Sequence, residues 1–409
     1  MMRRRPWPCP HLPEPSALPA VYGICNADFA AHRNGRPTWH APALSVRAAM
    51  TVGVGKSPGA AAVVAVEYAG RDVRAAVRRA LEAADWTHAI PAGADVCLKV
   101  NLGWDLFIPG SITSPLVVES LIEAIRPHVG KLYVVEADQV LEDIERAFRS
   151  SGMAEVCRRT GATWLNLSRE RTVPVHRSDN VVLKRIDVPW VLREALLITV
   201  PVMKTHAKTG LTGALKNQWG CLSKLRHEYH LVLDQALADV NSVLRPALAL
   251  MDATIGLEGN GPKSGRPRVA DRILCSADPV ALDTVQAVIM GLDPASVSHL
   301  AACAARGIGT NDRTAIEVRS SEPLPPLAPF APARHNLVSR VETFLRRSPV
   351  KRLVFNTPLL RLPLLGAKMY YRAWARRYAG LAWDAAAAHP VYGPQWRALV
   401  RPWPIRAAR

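Results

Sequence analysis

The sequence predicts an α/β fold, a largely parallel sheet flanked by helices, with a basic helical extension at its C-terminal end. Three observations predict it. Between Met50 and Val318, short β-branched runs alternate with helical patterns, as expected of strands joined by helical crossovers. After a proline-rich stretch at 321–334, "SEPLPPLAPFAPAR", the pattern changes to Leu, Val, Phe, Trp and Tyr mixed with arginine and almost no acid. Charge divides the chain at the same places. Residues 1–49 carry six Lys/Arg and two acids, residues 331–409 carry fifteen and two, and the middle carries 31 and 30. The formal net charge of +18 therefore belongs to the ends, and the core is neutral.

The domain organisation follows. Residues 1–49 read as a disordered Arg/Pro-rich extension, because prolines interrupt any apolar run an export signal would need. Residues 50–320 are the α/β core, 321–334 a stiff, extended linker, and 335–409 a basic amphipathic helical tail. No tail segment reaches the roughly 18 apolar residues of a membrane span. Two readings of the tail stay open. Its helices pack on the core or on a protein partner, or they lie on an anionic membrane surface. Nucleic acid is not an expected partner, because basic charge here comes without a reading motif. The seven cysteines are scattered and form no C-x-x-C, which points to a reducing cytoplasm and away from disulfide frameworks and zinc ribbons. They give no iron–sulfur motif either.

In α/β sheets, ligands bind beyond the carboxyl ends of the strands, so each strand end matters. The strand in "DVCLKVNLG" delivers Lys99 and Asn101, two apart and on one face. "IPGSITSPLVVESLIEAI" starts a helix, with Thr113 or Ser114 as cap and Pro115 in the first turn. "KLYVVEADQ" delivers Glu136 and Asp138, and "EALLITVPVMKTH" delivers Lys204 and His206. "ALALMDATIGLEGNGP" delivers Asp252, Glu258 and the turn holding Asn260, and "RILCSADPVALD" ends at Asp278, with Pro279 opening a helix that carries Asp283. Structural needs alone do not collect lysines, amides, a histidine and carboxylates over one sheet edge.

The stretch after Lys204 is expected to form a helix from about Leu211 to Leu222, carrying Lys216 and Asn217. Gly210 and Gly213 allow close backbone approach at its start. Lys204, Lys216 and that helix N-terminus make an anion cradle, although the glycine spacing is neither a Walker loop nor G-x-G-x-x-G. Farther on, His227, His230 and Asp234 share a face if a helix starts early enough, and two imidazoles with a carboxylate suit a divalent metal.

The ordered elements "LKVNLG", "ITSPLVVESLIEAI", "YVVEAD", "VPVMKTHAKTGLTGALKNQWGC", "MDATIGLEGNGPKSGRP" and "ADPVALDTVQAVIMGLDP" resemble the domain of unknown function 362 family over roughly residues 63–318. The resemblance implies a shared site at Lys99, Asn101, Lys204, His206, Lys216, Asn217, Glu258, Asn260 and Asp283. Some relatives are described as iron–sulfur proteins, but this sequence lacks their closely spaced cysteines. The leading expectation is a cytoplasmic enzyme acting on a small carboxylate or phosphate. In it Lys204 and Lys216 hold the anion, Lys99, Asn101, Asn217 and Asn260 orient it, and His206, Glu258 or Asp283 moves a proton. A buried lysine there can also serve as a nucleophile. The alternatives are a metal-dependent or redox protein using His227, His230 and Asp234, and a non-enzymatic metabolite-binding module held to a membrane or partner by its tail.

Overall fold

The computed structural model of the chain describes residues 61–399 except 106–107, 140–141, 223–225, 335–336, 350 and 356. The expectation for residues 1–49 lies outside the described residues. The chain begins with β1 (Ala62–Tyr68), α1 (Val73–Ala83), α2 (Trp86–Ala89), β2 (Val96–Lys99), α3 (Pro115–Ile125) and β3 (Leu132–Glu136). It continues through α4 (Ile144–Ser150), α5 (Met153–Thr160), β4 (Thr163–Asn166), the separate antiparallel hairpin β5 (Thr172–His176) and β6 (Arg185–Pro189), and α6 (Val191–Glu194). Next come β7 (Leu196–Thr199), β8 (Val202–His206), β9 (Gly210–Thr212), α7 (Ala214–Asn217), α8 (Leu233–Val243), β10 (Leu248–Glu258) and β11 (Arg266–Ser276). The core closes with α9 (Pro279–Ile289), α10 (Ser298–Ala305) and β12 (Ile316–Arg319). The tail holds α11 (Leu337–Arg347), α12 (Lys351–Phe355), α13 (Arg361–Ala387) and α14 (Tyr392–Leu399).

The main sheet runs β12-β1-β11-β10-β7-β2-β3-β4, with β8 pairing both β10 and β9. The β12–β1, β10–β7, β10–β8, β7–β2, β2–β3 and β3–β4 pairs are parallel, and β11 is antiparallel to both neighbours. The sheet is thus largely parallel, as expected. Every residue of β10 is buried, because a central strand covered on both faces needs apolar side chains in both directions. Parallel registry levels the strand ends, so that Lys99 lies beside Val135 on one side and Thr199 on the other.

Local signals explain the helix starts. The Asp278 carboxylate accepts from the Val280 and Ala281 amides ahead of α9, with Pro279 in the first turn, an arrangement worth about 1 kcal/mol. At α3, Ser114 holds the capping position before Pro115, but its amide donates to Asp252 Oδ2 at 2.7 Å and its hydroxyl accepts from the Trp396 indole at 2.9 Å. The helix expected over Leu211–Leu222 is not continuous. Its first residues turn back on β8 as β9, pairing Lys204 with Thr212 and His206 with Gly210. Only Ala214–Asn217 are α-helical, before a 3-10 turn at Gln218–Cys221. Gly210, at φ +73°, closes that hairpin where other residues are strained, so a local hairpin pairing overrides the helical pattern.

The proline-rich stretch is extended yet lies on the core. Phe330 is buried and its amide donates to Met290 O, while the Ala331 amide donates to Glu258 Oε2. Beyond it, Tyr371, Ala375, Trp383, Tyr392 and Trp396 join the same apolar cluster as Leu98, Leu102 and Val117. Trp104 stacks on Trp374 and meets Tyr371 edge-on, both at 5.9 Å, with Lys263 Nζ 4.7 Å from its ring. Arg372 pairs with Asp105 at 2.6 Å. Among the described residues no helix is long and apolar enough to cross a membrane.

Candidate functional site

Two lysines stand at the carboxyl edge of the sheet. Lys99, the last residue of β2, has its ammonium 2.9 Å from Glu136 Oε1 at the end of β3, and both side chains are 1 % exposed. Lys99 Nζ also donates to Val100 O at 2.7 Å, and Glu136 further accepts from the Leu102 and Ala137 amides. The 3-10 turn presses on this pair at Gly220, where a methyl group would lie 2.6 Å from Lys99 Nζ and 2.7 Å from Glu136 Oε1.

Lys204, on β8, is equally buried and is bonded differently. Its ammonium donates to Asn101 Oδ1 at 2.7 Å and to Ser111 O at 2.9 Å, both neutral oxygens. Burial, and then the charges of Lys216 and Lys263, pull its pKa down to about 7. Asn101 is set by Asn217, whose Oδ1 accepts from Asn101 Nδ2 at 3.2 Å and whose amide donates to Lys99 O and Thr199 Oγ1, each at 2.9 Å. This chain of amides links the two lysines. Beside Lys204, the buried Ser111 hydroxyl makes no hydrogen bond among the described residues.

His206 ends β8 and is buried. Its Nδ1 accepts from the Lys208 and Thr209 amides at 3.0 and 3.2 Å, which puts the ring proton on Nε2. Burial, followed by the nearby charges of Lys216, Lys208, His230 and Lys204, drives its pKa well below the ordinary value, so it is a neutral imidazole able to donate from Nε2. Lys208 Nζ in turn lies 2.7 Å from Glu342 Oε2 on α11, and His230 Nδ1 lies 2.8 Å from Glu342 Oε1. Burial works against the Glu342 carboxylate, but His230 and Lys208 hold it well below the usual range. A tail carboxylate therefore sits at the rim of a cationic cluster.

Of the other expected site residues, Asp283, Glu258 and Asn260 have partners of their own, and Lys216 acts on Lys204 and His206. Asp283 Oδ1 and Oδ2 accept from the Ala214 and Leu215 amides at 2.6 and 3.0 Å, so the amides assigned to an anion cradle already hold an internal carboxyl. Burial pushes that group to about 7. Glu258 faces the Ala331 amide and Arg266 rather than the lysines. Asn260 forms the turn after β10, its carbonyl accepting from the Ser264 amide and hydroxyl. Lys216 is half-buried on α7 and its charge acts on both Lys204 and His206. The His227 side chain lies outside the described residues. His230 belongs to a 3-10 segment, Arg226–Val232, and Asp234 to α8, so the single helical face expected for these residues does not form. Among the described residues no three His, Cys, Asp or Glu side chains cluster as metal ligands.

Glu136 was expected at this edge but not as the partner of Lys99, and Ser111, Lys208 and Glu342 were missing from the expected site. Glu342 had a readable signal, since it is one of two acids in residues 331–409, and a lone acid in a basic segment marks a specific pairing.

Fold and cluster together define an α/β protein with a buried cationic site at the carboxyl edge of a parallel sheet. Residues 96–288 match the family described as Domain of unknown function (DUF362), the family whose motifs the sequence resembles. A thylakoid-associated protein of Synechocystis sp. is 32% identical over 115 residues, 26% of this chain and 36% of that protein. The matched segment thus spans about a third of the length of that relative. Among solved structures, the lactate racemase apoprotein from Thermoanaerobacterium thermosaccharolyticum is similar over 57% of this chain and 58% of that one, at 11% identity and a TM-score of 0.32. A likeness at that score carries no argument about chemistry.

Proposed function

We propose that this protein is an enzyme acting on a small anion, a carboxylate or a phosphate, bound between Lys204 and Lys216 with His206 Nε2 placed to deliver a proton. The observation that carries this reading is Lys204, a buried amine given neutral oxygens where Lys99 is given a carboxylate. An amine with its pKa near neutrality exists in both forms at physiological pH, so it can take up a proton, return it or attack a carbonyl carbon. An arriving anion would supply the missing countercharge and favour the ammonium form. Glu342, held by Lys208 and His230, supports a carboxylate at the rim.

That same Glu342 sets a negative charge at the rim that repels an arriving anion. Calorimetric titration of the full chain with inorganic phosphate and with acetate tests the reading. Binding should be accompanied by uptake of up to about one proton near neutral pH, read from buffers of differing ionisation enthalpy. Glu342→Gln should tighten it by about tenfold, because it removes an internal carboxylate that holds the Lys208 ammonium. Lys204→Met should abolish both the heat and the proton uptake; binding that persists unchanged in that variant sinks the assignment. The location we propose is a reducing cytoplasm, supported by Cys97, Cys157, Cys221, Cys275 and Cys303, which are buried and form no disulfide among the described residues.

A further inference from the structure

Helix α11 turns an apolar stripe outward while Val338 on its inner side packs on the core. Two of its four charged residues, Glu342 and Arg346, four apart, face inward, where Arg346 is 9 % exposed and donates to Glu342. Leu337, Val341 and Phe344 lie at intervals of four and three on the opposite face and are 64, 43 and 72 % exposed. The first half of α13 repeats the pattern, with Leu362, Leu365 and Met369 at 67, 57 and 65 % exposure. A helix whose only neighbours were core and water would bury those side chains and expose the charges. Single exposed leucines are ordinary, whereas two successive stripes in one segment mark an interaction surface.

Charge identifies the partner. Residues 337–377 contain ten Lys/Arg and one acid, and that acid is Glu342, committed inward. Arg340 and Arg347 flank the α11 stripe, and Arg361 and Lys368 flank that of α13, all exposed. A second copy docked through the same face would set like charges against like. We propose that this face of α11 and α13 docks on an anionic lipid bilayer, its apolar side chains entering the acyl boundary and its cations meeting headgroup phosphates. Glu342 is shared with the anion site of the core, but the exposed stripe and its flanking cations are not, so either proposal can fail without the other.

Flotation of the full-length protein with vesicles tests it. Wild type should float with phosphatidylglycerol and phosphatidylcholine mixed in equal parts and stay behind with phosphatidylcholine alone. Val341→Asp with Phe344→Asp should lower partitioning about a hundredfold, at roughly tenfold per side chain, and Arg340→Glu with Arg347→Glu by about tenfold or more. Arg193→Glu, an exposed charge on α6 in the core, should float like wild type, and circular dichroism should show every variant folded. Equal flotation with neutral vesicles, no flotation at all, or an equal loss in Arg193→Glu overturns the proposal. So does sedimentation showing that Val341→Asp with Phe344→Asp dissolves a dimer while lipid binding persists, since the face then belongs to a second copy.

Discussion

Lys99 and Lys204 lie at the same edge of one sheet, are joined through Asn101 and Asn217, and are equally hidden from water. Lys99 has a carboxylate at 2.9 Å, and that carboxylate is itself held by two backbone amides. Lys204 has an amide oxygen and a carbonyl oxygen. A buried ion pair with its remaining hydrogen bonds satisfied is finished, and its charge is unavailable to a ligand. A buried amine among neutral acceptors keeps an unmet demand for negative charge, and its proton is loosely held. Sequence motifs treat the two lysines alike, whereas their partners differ: a carboxylate for Lys99 and neutral oxygens for Lys204.

The largest expected effect breaks the Lys99 side of this contrast. Lys99→Met strands the Glu136 carboxylate in the core and should cost about 3–5 kcal/mol, read as a lower midpoint in urea unfolding. A loss below about 1 kcal/mol would show that the pair is no more structural than Lys204. Gly220→Ala strains the same pair from above, because its methyl falls within contact distance of both charged groups. Overpacking of that kind should cost about 1–3 kcal/mol, with little change in phosphate binding.

Lys204→Met sharpens the other side. At neutral pH it should alter stability by no more than about 1 kcal/mol, because replacing a desolvated amine by an apolar chain of similar volume offsets two lost hydrogen bonds. The pH dependence is more informative. With the folded pKa at about 7 against 10.5 for the ordinary side chain, the unfolded chain binds more protons throughout that window. Wild-type stability relative to Lys204→Met should therefore rise with pH between those values, by at most about 1.4 kcal/mol per unit. It should flatten above 10.5, and the disadvantage should be complete below about 7. Parallel stability curves for the two proteins would remove the case for a perturbed lysine.

Much of the fold was legible because its signals are local. Apolar β-branched runs became strands, and Asp278 with Pro279 opened a helix as the side-chain chemistry requires. The site was legible as a place rather than as a set of bonds. Lys204, His206, Asn101, Asn217 and Lys216 gather there, because parallel strands deliver their ends to one edge. The helix over Leu211–Leu222 was misread because its pattern is helical and its fate is decided by pairing with β8. Asp283 and Glu258 were read as site carboxylates, and their backbone partners, Ala214, Leu215 and Ala331, leave no periodic trace. Glu342 reaches His230 across 112 residues, a separation no motif spans.

The contact between Trp396 and Ser114 joins positions 282 residues apart. During synthesis, every strand of the sheet leaves the ribosome before the indole that covers the start of α3. The start of α3 must wait without the indole that meets Ser114 until α14 arrives. Such a long closure makes folding slow and the waiting intermediate adhesive, so the last helix behaves as a latch, and a chain stopped before Tyr392 should be recovered mainly as aggregate.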